Sequence, residues 1–510
     1  MRVMKPHRRV RHGASSVLIS LGWNYAGAFA ATLLQLGYAA WTGRAASAEA
    51  FGVYAIALTV TQVFGYFANA GLASHVMRIE ELTGSVVKAA LRLGTASGVV
   101  VFVMLQTVAQ WCGDLWQMPA LPLMLRLLSC QLLVQPGAAV AVTVLRRIGL
   151  VRTAVACELA AQAGGIAVGT ILMACGWNPL GLAATQPATA VLTLALGASV
   201  IVARSPIPDG PPVRARDLIM PSSFLAGYSL VEFLTSSAPM WAVGRLFGAG
   251  VTGAYSRAGV VTGLTSQFLF QGLNSAVSPV LAERRKRGLE GASAVARTVC
   301  SASAAALIGF GVLVGLGPVA LGLLLGPGWN RASELLPVLA VGAAATLLCR
   351  SGMIIDQVRH ATGALLSTQF AVTAATAAAV CAAIAWRSLF LLAVAVAVGQ
   401  VAGHVVQVLG WHRNRLVHAS FVVRAHTVHG LVGLALDAAA TFGAVGRPPA
   451  TGLVCGLASM APVALMCVLV RRRIPVYTAV AAMGLSPFPR FRRKARPLDH
   501  LSIPDYAEGS

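Results

Sequence analysis

The stretch from Gly43 to Val76 recurs without a gap as Gly244 to Val277, a displacement of 201 positions. Gly43, Arg44, Ala48, Gly52, Tyr54, Ala57, Val60, Thr61, Phe67, Gly71, Leu72, Ser74 and Val76 each have an identical residue in the second copy. Self-similarity at one fixed offset marks a duplication. Both copies lie in a chain that is 57% hydrophobic and 11% charged, whereas soluble domains carry about 25% charged residues. Such a composition excludes an ordinary soluble globule and predicts helices that cross a bilayer, each with about 20 apolar residues for about 30 Å of hydrocarbon.

Counting apolar stretches of that length predicts about fourteen transmembrane helices. The first is Val17 to Trp41 and the second Phe51 to Ser74; the seventh is Ser223 to Val243 and the eighth Ala258 to Val280. The expected fold is an all-α polytopic membrane protein with two parallel six-helix repeats plus two C-terminal helices. An even number of spans per repeat lets the second copy enter with the orientation of the first. The expected organisation is a basic cytoplasmic N-terminus (1–16), a first six-helix bundle (17–203), a Pro-rich basic linker (204–222), a second bundle (223–411), two extra helices (427–470) and a basic tail (471–510).

A net charge of +23 invites a nucleic-acid reading, and the placement of the charge argues against it. Arg and Lys alternate by loop. One set of connections carries Arg146, Arg147, Arg152, Arg284, Arg285, Lys286 and the tail, while the opposite loops carry little beyond Arg44, Arg245, Arg331, Arg387 and Arg447. That asymmetry is the positive-inside signal, and it puts both termini in the cytoplasm. The cysteines fall mainly within spans and lack metal-ligand spacing, so no metal and no cofactor is expected. No phosphate-binding loop or zinc motif occurs, and no extramembrane segment is large enough for a catalytic domain, so no catalytic residue is assigned and an enzyme is not expected.

Polar residues inside spans are costly and mark cavities or helix contacts. Thr59, Gln62, Tyr66 and Asn69 follow helical spacing in the second span; Gln267, Gln271, Asn274 and Ser278 do so in its repeat mate. The first span adds Asn24 and Gln35. Either a hydrophilic cleft or interhelical hydrogen bonding would produce these stripes. Glu232 and Asp437 lie nearest the middle of their spans and are the ion-coupling candidates. A cation such as Arg257 or Arg245 would keep Glu232 ionised, and a structural ion pair is the alternative role. Arg44, Arg245 and Arg257, with guanidinium forks near helix ends, are candidates for holding a phosphate or diphosphate.

Gly43-Arg44, Phe51-Gly52-Val53-Tyr54, Gly71-Leu72 and Arg78, echoed by Gly253-Ala254-Tyr255-Ser256 and followed by Gly326-Pro327-Gly328-Trp329, resemble bacterial lipid-linked oligosaccharide flippases. These belong to the multidrug/oligosaccharidyl-lipid/polysaccharide exporter superfamily. The resemblance implies two six-helix bundles that move an undecaprenyl-diphosphate-linked glycan across the cytoplasmic (inner) membrane by alternating access for cell-surface polysaccharide biosynthesis. It also implies coupling to H+ or Na+, contact with membrane lipids and docking of glycan-synthesis proteins. On that basis Asn24, Gln62, Asn69, Gln271 and Asn274 are assigned to glycan, Arg44, Arg245 and Arg257 to phosphate, and Glu232 to coupling. The two extra helices resemble those of peptidoglycan lipid-precursor flippases. Alternatives are a cation-coupled multidrug exporter of the same superfamily, a membrane glycosyltransferase or polymerase, and a structural scaffold.

Overall fold

The computed structural model describes residues 14–69, 72–79, 82–204, 208, 210–211, 223–286 and 292–469. The basic N-terminal residues up to 13, most of the linker and the basic tail lie outside these described residues. The helices are α1 (Ala14–Ala45), α2 (Ala48–Asn69), α3 (Leu72–Arg78), α4 (Gly84–Trp116), α5 (Leu121–Arg147), α6 (Val151–Ala174), α7 (Leu180–Arg204), α8 (Ser223–Lys286), α9 (Ala292–Leu325), α10 (Asn330–Val358), α11 (Thr362–Ala385), α12 (Leu389–Arg413), α13 (Ala419–Ala444) and α14 (Pro449–Leu469). Among the described residues there is no strand. Lipid offers no hydrogen-bond partner, so the backbone satisfies itself within each helix.

Eleven of these helices are long and apolar enough to cross a membrane. α8 is a special case: 64 residues at about 1.5 Å each reach about 96 Å, far more than one crossing. It breaks at Gly248, whose φ of 80° and ψ of −178° are a conformation that glycine alone adopts readily. Its two arms contain the expected seventh and eighth spans, and the 32-residue α1 contains the expected first. The second expected span, Phe51 to Ser74, is divided between α2 and the short α3.

The chain forms two compact units, Met1–Ala46 with Val53–Leu230, and Ser47–Gly52 with Val231–Ser510. In the first, α5 packs against α4 and α7, α7 against α6, and α6 against α1. In the second, α10 packs against α9 and α12, and α12 against α11. The packing of α4 to α7 therefore recurs in α9 to α12, so the duplication extends well past the segment in which it is visible as sequence. The central helices α5 and α10 are the most buried of each unit, at 67% of the membrane window in both. Leu121, Met124, Leu125, Leu128 and Leu132 fill the first core and Leu336, Ala340, Leu347 and Cys349 the second.

α13 and α14 attach to the second unit through α9. Small residues make this possible: a side chain on Gly433 would overlap the carbonyl of Leu307, and one on Gly311 would overlap Gly433. Such backbone-on-backbone packing is the membrane substitute for a hydrophobic driving force between helices. The outward face of α13 and α14 carries exposed Leu431, Leu434, Phe442, Val454 and Leu465, as a surface in contact with acyl chains requires.

A tighter crossing lies where the first turn of α2 enters the second unit. A methyl group on Gly52 would overlap the carbonyl oxygen of Ala249, and one on Gly253 would overlap that of Ala48. Gly52/Gly253 and Ala48/Ala249 are repeat mates, so each half of the contact mirrors the other, as in an isologous interface. Replacing either glycine with leucine is expected to destabilise the protein by on the order of 2–3 kcal/mol, measured as a lower melting temperature in detergent. Gly263→Leu, on the same helix with open space around it, should be close to neutral.

Candidate functional site

Within the second unit, the motif residues converge. The guanidinium carbon of Arg257 lies 3.6 Å from the ring centroid of Phe51, and that ring meets Trp329 edge-on at 5.5 Å. Phe51 is fully buried and Arg257 is 9% exposed. A cation on an aromatic face is worth most when desolvated, so this stack is a fixed anchor at the start of α2. The charge of Arg257 faces a ring; Arg44 and Arg245, the other arginines expected to meet phosphate, are exposed.

Glu232, on the first arm of α8, meets a cation from α10. Arg350 donates from Nη2 and Nε to Glu232 Oε1 at 2.6 and 3.0 Å, so the cation expected from Arg245 or Arg257 comes instead from a helix that the spacing did not single out. The Arg350 guanidinium also lies 6.0 Å from the Phe270 ring. Both members of the pair are part-exposed, at 46% and 28% of their side-chain surface. Asp437 of α13 accepts from Thr441 Oγ1 at 3.3 Å and lies beside Gly315 of α9.

The polar stripes fall on comparable surfaces of the two repeats. On α2, Gln62 is exposed and Thr59 and Tyr66 are half-buried; on the second arm of α8, Gln267 and Asn274 are exposed and Gln271 is half-buried. Phe67 and Phe268, repeat mates of each other, are 56% and 59% exposed. The Thr59 hydroxyl bonds the carbonyls of Ala55 and Ile56 in its own helix at 3.0 Å each. Asn69 closes α2, and its side chain lies outside the described residues, as do those of Arg78 and Ser278.

In the first unit Asn24 and Gln35 of α1 are exposed. Beside Asn24, Trp23 receives the Arg152 guanidinium at 4.4 Å from its ring centroid. Further along, α1 and α6 flank an open apolar recess of about 740 Å³ lined by Leu33, Leu34, Trp41, Leu159 and Ile166 among others. That volume lies in the range of small-ligand sites. Polar groups in its lining come from Tyr38, whose hydroxyl lies 2.9 Å from Thr185 Oγ1, Thr170 and the Trp41 indole. Near the ends of α5 and α6, Arg146 pairs with Glu158 at 2.7 Å, and Arg147 holds α3 by donating to the carbonyls of Val76 and Ile79.

A family model described as "Polysaccharide biosynthesis protein" matches residues 43–334. No curated protein matches the chain. Among solved structures, the lipid II flippase MurJ in an inward closed conformation aligns with a TM-score of 0.63 at 9% identity, covering 90% of this chain and 100% of that one. An inward-facing multidrug resistance MATE family transporter of the MOP superfamily aligns at 0.55 with 16% identity, covering 77% and 96%. A MOP superfamily transporter from Pyrococcus furiosus aligns at 0.50 with 16% identity, covering 79% and 95%. At these identities the likeness is one of fold.

The exposure of Glu232 and Arg350 limits the stability that their pair contributes to about 1 kcal/mol or less. In a double-mutant cycle of Glu232→Gln and Arg350→Gln, read by thermal unfolding in detergent, the coupling energy is expected within that bound. A coupling of several kcal/mol would mean a desolvated pair.

Proposed function

Because the chain belongs to the polysaccharide biosynthesis protein family, whose model spans more than half of it, we propose that this multi-pass membrane protein is a flippase. Its cargo in this reading is a polyprenyl-diphosphate-linked oligosaccharide, moved across the bacterial cytoplasmic membrane by alternating access. The observation that carries the proposal is the pair of repeat-related polar faces, Gln62 on α2 and Gln267, Gln271 and Asn274 on α8, in helices otherwise suited to lipid. Polar groups at that depth suit a sugar, which offers hydroxyls as both donors and acceptors.

The three parts of such a cargo need three environments. Asn24, Gln62, Asn69, Gln271 and Asn274 are assigned to the glycan. Exposed Arg44 and Arg245 are assigned to the diphosphate, for which a guanidinium fork is well shaped. Arg257 keeps the α2 crossing in place through Phe51 and acts on the anion only indirectly. The apolar recess beside α1 and α6 suits a prenyl chain. Glu232 with Arg350, and Asp437, are the charged groups assigned to coupling with H+ or Na+. The work is transport, and no bond of the cargo is made or broken.

In cells lacking the protein, lipid-linked repeat units should accumulate on the cytoplasmic side and surface polysaccharide should fall. Glu232→Ala at normal protein level should reproduce much of that accumulation. An unchanged pool with normal surface polysaccharide would remove the flippase reading, and raised susceptibility to cationic dyes in its place would favour drug export.

A further inference from the structure

The second unit contains a line of polar side chains that the glycolipid reading leaves unused. It runs from the Cys349 carbonyl on α10 through Gln407 and His404 on α12, His426 on α13 and Ser303 on α9 to His429 on α13. One end fixes the direction of every bond in it. A backbone carbonyl only accepts, so Gln407 Nε2 donates to Cys349 O at 3.0 Å and Oε1 is turned towards His404 Nδ1 at 3.1 Å. That oxygen also only accepts, so His404 Nδ1 carries the hydrogen. In the neutral ring Nε2 is then an acceptor, and it faces His426 Nε2 at 3.0 Å, which therefore donates. His426 Nδ1 accepts the Ser303 hydroxyl hydrogen at 2.8 Å, and Ser303 Oγ accepts from His429 Nδ1 at 2.9 Å. The last lone pair, on Nε2 of fully buried His429, has no hydrogen-bond partner among the described residues.

Leaving a buried acceptor open costs a hydrogen-bonded network stability. This one closes at Cys349 and stays open at His429. The geometry points to a proton relay: His429, Ser303, His426 and His404 pass one proton between His429 and the void beside His404. Uptake at His429 Nε2 makes that ring imidazolium. Its Nδ1 proton passes to Ser303 Oγ as the hydroxyl proton passes to His426 Nδ1 and the His426 Nε2 proton passes to His404 Nε2. One proton has entered, each transferred bond has reversed, and the positive charge rests on His404 with Gln407 Oε1 and His426 Nε2 as acceptors for its two N–H groups.

At that end His404 and His426 line a void of about 10 Å³ with Thr298, Ser351 and Trp411, space for about one water molecule. Beyond it, Trp411 stands edge-on to His404 at 6.1 Å and donates to Asp356 Oδ1 at 3.0 Å. Asp356 Oδ2 likewise has no hydrogen-bond partner among the described residues; the proton leaves His404 through the water-sized void that His404 and His426 line. The other titratable or charged groups on the packed helices are Arg297 and Cys300 on α9, Arg331, Glu334, Cys349 and Arg350 on α10, Cys381 on α11, His412 and Arg413 on α12, Arg424 and Asp437 on α13, and Cys455 and Cys467 on α14. The relay rests on the transporter reading only for what the proton would drive, since a downhill proton gradient would supply the energy of export.

The test uses purified full-length protein in liposomes that enclose a pH-sensitive dye, with a potassium/valinomycin potential and no glycolipid. Wild-type liposomes should acidify faster than protein-free ones. Ser303→Ala and His426→Gln should each lower the protein-dependent rate at least tenfold, while His412→Gln, an exposed site at the end of α12, should leave it unchanged. Equal rates for wild type and Ser303→Ala, or a wild-type rate no greater than that of protein-free liposomes, would overturn the relay. A second measurement needs no folded variant. Nitrogen NMR of labelled wild-type histidines in bilayers should find Nδ1–H tautomers at His404 and His429 and an Nε2–H tautomer at His426, and any other set contradicts the relay. Intact proton flow combined with an unchanged lipid-linked glycan pool in deletion cells would discard the flippase reading and keep the relay.

Discussion

In a bilayer, helices gain little from burying one apolar side chain against another, because lipid is as apolar as the partner. What holds them is close approach of backbones, and the contact on which this fold turns is the mirrored crossing of Gly52 on Ala249 and Gly253 on Ala48. Only a residue without a side chain allows it at either site. The crossing brings the start of α2 into the second unit, beside the Arg257, Phe51 and Trp329 stack. Residues repeated in sequence thus meet one another in space.

The same economy governs the polar groups. Many hydroxyls inside spans bond a carbonyl of their own helix, as Thr42, Thr59, Thr61 and Thr143 do, and these groups carry no information about cargo. The glutamines and asparagines on α1, α2 and α8 are different, because a side-chain amide cannot be satisfied by the preceding turn as readily as a hydroxyl can. Cargo recognition is assigned to them for that reason. Charge is used sparingly: Glu232 with Arg350 and the Arg257 stack each give a charge inside a span a partner from another helix.

Much of the fold was legible because hydrophobic length and a fixed repeat offset are one-dimensional signals. The spans, the two repeats and the division of α8 near residue 248 all followed from them. Arg350 was missed although it lies inside an expected span, where a lone cation asks for an acid at matching depth; Glu232 was the available one. Of the histidine line, spacing shows only His404 and Gln407, which share one face of a span as path-lining or packing residues. The line's members come from α9, α12 and α13, and spacing along one helix cannot reveal bonds between helices. An expected span starting at Thr427 also left His426 outside the membrane, whereas α13 begins at Ala419. Arg257 shows the converse limit: sequence marks it as a charge near a helix end, and only the packed ring of Phe51 shows where that charge is directed.

The central claim is that this protein moves a polyprenyl-diphosphate-linked glycan between leaflets, and the most direct measurement supplies that cargo to the purified protein. A short-chain polyprenyl-diphosphate oligosaccharide is placed in both leaflets of proteoliposomes, and a membrane-impermeant glycosidase is added outside. With a functioning flippase nearly all of the glycan should become digestible on the time scale of transport, and Gln62→Leu with Asn274→Leu should slow the second phase. Digestion that stops at the outer-leaflet half, as in protein-free liposomes, would contradict the account.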